Sequence, residues 1–263
     1  MTDTYSCLLY DLDDNGVLRI ALNTPENRNA LSEQLTLELI DSFERARDDA
    51  AVRCVVLSST HPRTFSAGGN LGGMASEQTL TEKHTANMRF PRLFTLIAEL
   101  GKPVVCAVDG HCLAGAFGLA LACDLIIASE QASFGTPEIN VGLFPFMIAV
   151  LIFRNVPRKK ASEMILLGER ITAREAEELG IVNRVEPAET FASAVDEWAL
   201  TLASKSPLLM KMGKDALWRQ SDLGAEDAWD FLAGQLTLAS STNDMKEGVA
   251  AFYDKRPPVW TNS

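Results

Sequence analysis

Between Lys102 and Gly142 the chain reads KPVVCAVDGHCLAGAFGLALACDLIIASEQASFGTPEINVG. The pattern predicts a strand, a glycine turn at Ala114-Gly115-Ala116, a short apolar helix, a second strand, and a turn ending in one carboxylate, Glu138. The first N–H groups of a helix lack intrahelical partners and lie at its positive end, so a turn that opens a helix can hold an anion. A carboxylate among apolar neighbours, here Ile139, Val141, Leu143 and Phe144, holds its proton more tightly and suits general acid–base work. A second glycine turn, Ser66-Ala67-Gly68-Gly69-Asn70, also follows an apolar run. Two converging backbone N–H groups would form an oxyanion hole, so the set points to a reaction through a stabilised oxyanion. Taken singly, either turn reads equally well as a plain tight turn. Glu138 taken singly reads as an exposed turn carboxylate or a first-turn glutamate behind Pro137.

Other chemistries lack their motifs. There is no GxxxxGK[ST], Gly110-His-Cys-Leu-Ala-Gly115 is not GxGxxG, and no GxSxG elbow occurs. Ser66 has no histidine placed by any motif to activate it. His61, His84 and His111 share no zinc-ligand spacing with nearby cysteines, so no metal site is expected.

The bulk properties bound the class of protein. The 263 residues suit one large domain, or one domain with an appendage. Apolar residues are 47% and charged residues 22%, ordinary for a globular chain. A net charge of -11 argues against a nucleic-acid surface, which needs clustered Lys and Arg, yet leaves room for a local basic pocket. The opening MTDTYSCLLYDLDDNG has no basic segment and no long apolar run, so no secretory signal is expected. The longest apolar run, Phe146 to Phe153, is far shorter than the roughly 20 residues that span a bilayer. Five cysteines without a CxxC suggest free thiols in a reducing cytoplasm.

The elements that must position the two turns and the carboxylate alternate along the chain. Leu8–Leu12 and Val17–Leu22 form a predicted hairpin around Asp13-Asp14-Asn15-Gly16. A helix follows over 32–49, then a buried strand over 54–57. The segment 71–83 is polar and helix-compatible; a helix over 85–100 precedes the strand 103–108, and a third strand covers 125–128. This alternation predicts parallel crossover units. Helices dominate after residue 145: one over 158–167, another opened by the capping box Thr172-Ala-Arg-Glu175 and stopped at Gly180, and three or four over 188–253. A short strand is expected at 181–185. The apolar run Phe144–Phe153 reads either as an acyl tunnel wall or as plain core.

Four ordered motifs resemble the crotonase superfamily of enoyl-CoA hydratases and isomerases. Asn27-Arg-Asn-Ala-Leu31 resembles its CoA-phosphate motif. Phe65-Ser-Ala-Gly-Gly-Asn-Leu71 resembles F-x-A-G-x-D-L, with Asn70 in place of Asp. Gly110-His-Cys-Leu-Ala-Gly115 through Ala122-Cys-Asp124 resembles the segment of the second oxyanion donor, and Phe134-Gly-Thr-Pro-Glu138 the segment of a catalytic glutamate. The C-terminal F-x-x-K-R-x-P-x-W is similar to the family as well. The resemblance covers nearly the whole chain. It implies an α/β fold, a crotonase-like spiral of ββα units over 1–200, with a C-terminal helical trimerisation region over 201–263 and assembly as a homotrimer or homohexamer. It further implies an acyl-CoA thioester substrate, with coenzyme A as part of that substrate and no separate cofactor. Gly69 and Gly115 would supply the oxyanion hole and Glu138 the acid–base. Arg28, Ala67, Gly68, Leu71, Phe146 and Lys255 would bind substrate or CoA, Lys255 from a neighbouring subunit.

Two departures bear on the reaction. Family hydratases use two glutamates, and the first falls at Gly118, which cannot transfer a proton. Their PGAGG run near the nucleophilic water is replaced by Phe144-Pro-Phe-Met-Ile148, with Phe146 where a glycine leaves space. Both favour double-bond isomerisation by a single glutamate over hydration of an unusual or branched 2-enoyl-CoA. In a hydratase, Asp124 or Asn140 would be the alternative water-positioning groups. A decarboxylase or thioester hydrolase on the same scaffold stays open, as does a non-catalytic CoA-thioester-binding assembly protein.

Overall fold

The computed structural model describes residues 5–70 and 78–263. Two sheets organise it. The larger holds six strands in the order β1 (Leu8–Leu12), β2 (Val17–Leu22), β3 (Cys54–Ser59), β5 (Val104–Val108), β7 (Leu125–Ser129) and β10 (Arg184–Glu186). The smaller holds β4 (Thr64–Ser66), β6 (His111–Leu113), β8 (Ser133–Gly135) and β9 (Arg170–Thr172). The β1–β2 hairpin is antiparallel, and its turn is held by the Asp13 carboxylate, which accepts from the N–H groups of Asn15 and Val17. From β2 to β10 every pairing in the larger sheet is parallel. Parallel strands are covered on both faces, which is why β5 is an unbroken buried run, VVCAV.

Three times the chain leaves the larger sheet and enters the smaller within a few residues: β3 to β4, β5 to β6, and β7 to β8. The receiving strands β4, β6 and β8 lie side by side and parallel. This stepwise winding is the α/β spiral expected from the sequence. The small sheet itself escaped sequence reading, because its strands are three residues long and alternation needs at least four to register.

Helices cover the sheets. In α1 (Glu33–Asp48), capped by Ser32 Oγ accepting from Leu35 N–H, the buried face carries Leu35, Leu39, Ile40 and Phe43. The single helix expected over 85–100 is two: α2 (Leu80–Asn87), with a Thr79–Glu82 capping box, and α3 (Arg89–Ala98). Pro91 explains the break, since its ring would strike the carbonyl of Asn87 in a continuous helix. The faces differ too: α2 buries nothing, while α3 buries Leu93, Phe94 and Ile97. Next come α4 (Gly115–Ala122), apolar on every side and buried, then α5 (Phe146–Asn155), α6 (Arg158–Leu167) and α7 (Ala173–Glu178). The capping box at Thr172–Glu175 forms as its sequence dictates. The strand expected at 181–185 begins only at Arg184, because the N–H groups of Ile181 and Val182 still close the end of α7 on the Ala176 carbonyl.

Four helices complete the chain: α8 (Ala188–Ala203), α9 (Pro207–Gln220), α10 (Ala225–Ser240) and α11 (Asn243–Asp254). Val195 and Ala199 of α8 pack on Val17, Cys54, Val105 and Ile127 of the larger sheet. Lys214 ties α9 to the body, with Nζ 2.6 Å from Asp124 Oδ2 and 3.0 Å from the Lys102 carbonyl. Asp124 also accepts from Val104 N–H. That carboxylate is a structural tie rather than a water-positioning group. Phe65, Phe117 and Phe134 are fully buried, and Phe117 of α4 meets Phe134 of β8 with ring centroids 5.6 Å apart. Such buried aromatics each contribute about 3–5 kcal/mol against truncation to Ala and lock the small sheet against α4. Among the described residues, no helix is long and apolar enough to cross a membrane.

Candidate active site

Three neighbouring strands of the small sheet end at one cleft. From β4 the chain passes into Ala67-Gly68-Gly69, from β6 into Ala114-Gly115, and from β8 through Thr136-Pro137 to Glu138. Parallel strands lie about 4.8 Å apart, so three C-terminal ends present these groups side by side.

The first turn is held by a buried polar network. Ser66 Oγ donates to the Asn29 carbonyl at 2.7 Å and accepts from Gly68 N–H at 3.2 Å. Asn29, fully buried, bridges Thr24 N–H, Ser59 Oγ and the Phe65 carbonyl through its side chain. The Leu31 N–H donates to the Gly68 carbonyl and the Ala67 N–H to the Arg28 carbonyl. Ser66, which stands where a nucleophile could be suspected, is thus a brace for the turn.

The second turn is strained. Ala114 sits at φ 53°, ψ −130°, a region costing a non-glycine residue about 1–3 kcal/mol. Its N–H is anchored on the Gly135 carbonyl at 2.8 Å. That conformation opens α4 at Gly115. The two turns touch: a Cβ added to Gly68 would lie 3.2 Å from the Gly115 nitrogen, and one added to Gly115 would lie 3.8 Å from the Gly69 nitrogen. Among the described residues, neither the Gly69 nor the Gly115 N–H donates to another backbone group. Two uncommitted N–H donors, one at the positive end of a buried helix, can hold a developing oxyanion.

Glu138 sits in a 3₁₀ turn, Pro137–Val141, which Gly142 closes in the left-handed conformation. Its Oε2 is buried and has no hydrogen-bond partner. Burial raises the carboxyl above its ordinary value, only partly opposed by a hydrogen bond from its own backbone N–H. A carboxyl with a raised affinity for protons, facing a cleft, can take and return one.

The cleft has a volume of about 1040 Å³. Of the sequence-predicted residues, Ala67, Gly69, Gly115, Glu138 and Phe146 line it together. Gly68 lies behind the first turn. Arg28 contributes its carbonyl to that turn and its side chain is not on the cleft wall; Lys255 is exposed at the end of α11, away from the cleft. Leu71 lies outside the described residues. Asn140 is on the wall, its Nδ2 donating to the Gly168 carbonyl at 3.3 Å. Of the run 144–153, Phe144 to Ile148 line the cleft, while Leu151 and Ile152 are core. Sequence reasoning named Leu31 only within the Asn27–Leu31 motif and missed Phe90 and the cations Lys83 and Arg89, which reach the cleft only through the packing of α2 and α3. Arg89 is paired with Glu33 at 2.7 Å.

At Gly118 the space is occupied. A Cβ there would stand 2.2 Å from Ile148 Cγ2 and 3.2 Å from Phe94 Cζ. Glycine on α4 lets α5 close in, and the Ile148 side chain takes the room that a longer residue at 118 would need. Among the described residues, no group of three His, Cys, Asp or Glu is placed to hold a metal ion.

Comparison with known proteins assigns the class. The fold is that of the crotonases: the crystal structure of an enoyl-CoA hydratase from Mycobacterium smegmatis superposes with a TM-score of 0.93 at 33% identity, covering 97% of this chain and 98% of the other. The family model for enoyl-CoA hydratase/isomerase matches residues 13–263. This chain belongs to the enoyl-CoA hydratase/isomerase family. The 2,3-dehydroadipyl-CoA hydratase of Escherichia coli is 38% identical over 248 residues, covering 92% of this chain and 94% of the relative. A mitochondrial enoyl-CoA hydratase domain-containing protein 3 of Xenopus laevis is 34% identical over 250 residues, covering 95% and 85%.

Two expected outcomes test this geometry. In Gly68→Ala, the new Cβ would stand 2.5 Å from Ala114 Cβ and 2.6 Å from the Leu113 carbonyl, at a φ of +88°. The two turns must separate, so turnover of an acyl-CoA substrate falls by about 10²-fold or more, and urea unfolding shows a loss of about 1–3 kcal/mol. For Glu138 the folded carboxyl has the raised proton affinity, so the native state binds more protons than the unfolded chain just above pH 4.5, and stability falls as pH rises through that window. Glu138→Gln removes this loss. Its melting temperature exceeds that of the wild type at pH 7, and the difference fades below pH 4.5.

Proposed function

We propose that this protein moves the double bond of an enoyl-CoA thioester by a 1,3-proton shift, with Glu138 as its single acid–base. The observation that carries this reading is the occupied space at Gly118. Where a second glutamate would act, Ile148 and Phe94 close the wall, and nearby in the chain the Phe144 and Phe146 rings meet at a tilt with centroids 4.9 Å apart. The thioester oxygen accepts from the N–H groups of Gly69 and Gly115. The Glu138 carboxylate removes a proton from C2 of a 3-enoyl-CoA, and the C2–H electron pair passes into a dienolate whose charge rests on that oxygen. Glu138, now protonated, delivers the proton to C4, and the double bond comes to lie between C2 and C3. One face and one carboxyl serve both steps.

The names of the relatives favour a second reading, hydration of a 2-enoyl-CoA. Asn140, on the cleft wall with its Nδ2 already donating to the Gly168 carbonyl, would orient a water for it through Oδ1. The five cysteines are free thiols, four of them buried, which supports a reducing compartment such as the cytoplasm.

The C-terminal helices support a homo-oligomer, a trimer or a pair of trimers. Phe252 and Trp229 are 78% and 69% exposed, with Tyr253, Leu236 and Leu238 beside them in the same helices. Exposed apolar clusters of this kind mark an interface. Sedimentation at micromolar concentration gives a mass of three or six chains, and Phe252→Asp shifts it toward one.

The reaction is tested with a panel of 3-enoyl- and 2-enoyl-CoA thioesters. The wild type converts 3-enoyl to 2-enoyl faster than it hydrates 2-enoyl, and Glu138→Ala loses about 10²–10⁴-fold. The acid limb of the wild-type profile lies above the ordinary glutamate value of 4.5, because the base must be ionised. Rapid hydration without isomerisation establishes the second reading. Binding across the panel with no turnover establishes a non-catalytic thioester-binding protein.

A further inference from the structure

A second cavity, of about 380 Å³, lies on the same helical seam as the active-site cleft. Three helices run past both. The cleft is lined at their N-terminal ends by Phe90 of α3, Gly115 of α4 and Ile148 of α5. The second cavity is lined nearer their C-terminal ends by Ala98 of α3, Leu121 and Ala122 of α4, and Leu151 of α5. At Gly118 both walls converge: a Cβ there would stand 2.2 Å from Ile148 Cγ2 and 3.2 Å from Phe94 Cζ. Ile148 lines the cleft and Phe94 lines the second cavity, so these two side chains stand between them at Gly118.

We propose that Ile148, seated on Gly118, is the acyl-length stop of this enzyme and restricts it to short acyl chains. The inference rests on the acyl-CoA reading above and deepens it. The thioester oxygen is held at Gly115, and the Gly118 layer lies about 4.5 Å deeper along α4, the rise of three helical residues. With carbon–carbon bonds of about 1.5 Å, an acyl chain entering that seam meets the stop after about four carbons. Beyond the stop the second cavity suits a hydrocarbon tail. Its near wall is apolar, and the charges at its far wall are already paired, Lys214 with Asp124 at 2.6 Å and Arg154 with Asp222 at 2.8 Å. No unmet charge there asks for an ionic ligand.

The stop is a specificity residue, and binding reads it without reference to which reaction follows. Butyryl-, hexanoyl-, octanoyl- and decanoyl-CoA are titrated calorimetrically into the wild type, Ile148→Ala and Phe94→Leu. Wild-type affinity does not improve beyond butyryl-CoA. In Ile148→Ala, affinity rises about fourfold for each added methylene over the next few carbons, as burial of a methylene provides. Phe94→Leu thins the wall from the other side, gives the same trend, and serves alone if Ile148→Ala fails to fold. Parallel length profiles in wild type and variants overturn the stop while leaving the acyl-CoA reading intact. A wild type that already gains affinity up to decanoyl-CoA also overturns it. A folded wild type that binds none of the thioesters overturns the acyl-CoA reading, and the stop falls with it.

Discussion

The parallel pairing of β4, β6 and β8 is the constraint on which the site depends. Each strand is three residues long, and none would persist alone. Each is delivered by a strand of the larger sheet that has just ended, so the larger parallel sheet sets the spacing of the smaller. Their C-terminal ends therefore bring Gly69, Gly115 and Glu138 to one cleft from positions 46 and 23 residues apart in the chain. Ligand sites at the carboxyl ends of parallel strands are a general consequence of such geometry.

The strain at Ala114 and the polar cage around Asn29 follow from that arrangement. An N–H aimed outward at a helix start requires a backbone turned away from the ordinary allowed regions, and the Gly135 carbonyl of the adjacent strand end holds it there. Ser66 and Asn29 do the same for the first turn with buried hydrogen bonds, each worth about 1 kcal/mol net but costly to break on one side only. Both donors are thus held by hydrogen bonds within the fold itself, the preorganisation that a backbone oxyanion site requires.

Gly118 and Ile148 behave as one unit. A glycine inside an apolar helix normally weakens it by about 1 kcal/mol relative to alanine. Here the missing side chain is replaced by packing, because α5 moves its Ile148 into the gap. The cleft wall at this point is thereby apolar. Dry apolar walls strengthen the electrostatics of the remaining carboxylate and donors.

Much of this was legible in the chain alone. The hairpin turn, the Thr172–Glu175 capping box, the two glycine turns, Glu138 and the family resemblance are local patterns, decided by residues within a few positions of one another. Other features depended on what the folded chain brings together. The break at Met88 is set by Pro91 and by which faces find a core. The 181–182 segment closes a helix instead of opening a strand because Ala176 offers a carbonyl. The three-residue strands exist only because neighbours pair with them. Sequence by itself determined which groups are capable of the chemistry, since glycine, proline and a carboxylate have fixed physical capacities. Only the tertiary structure decided that Ser66 braces a turn, that Asp124 ties down Lys214, and that Ile148 fills the space over Gly118, because each depends on what packing brings within about 4 Å.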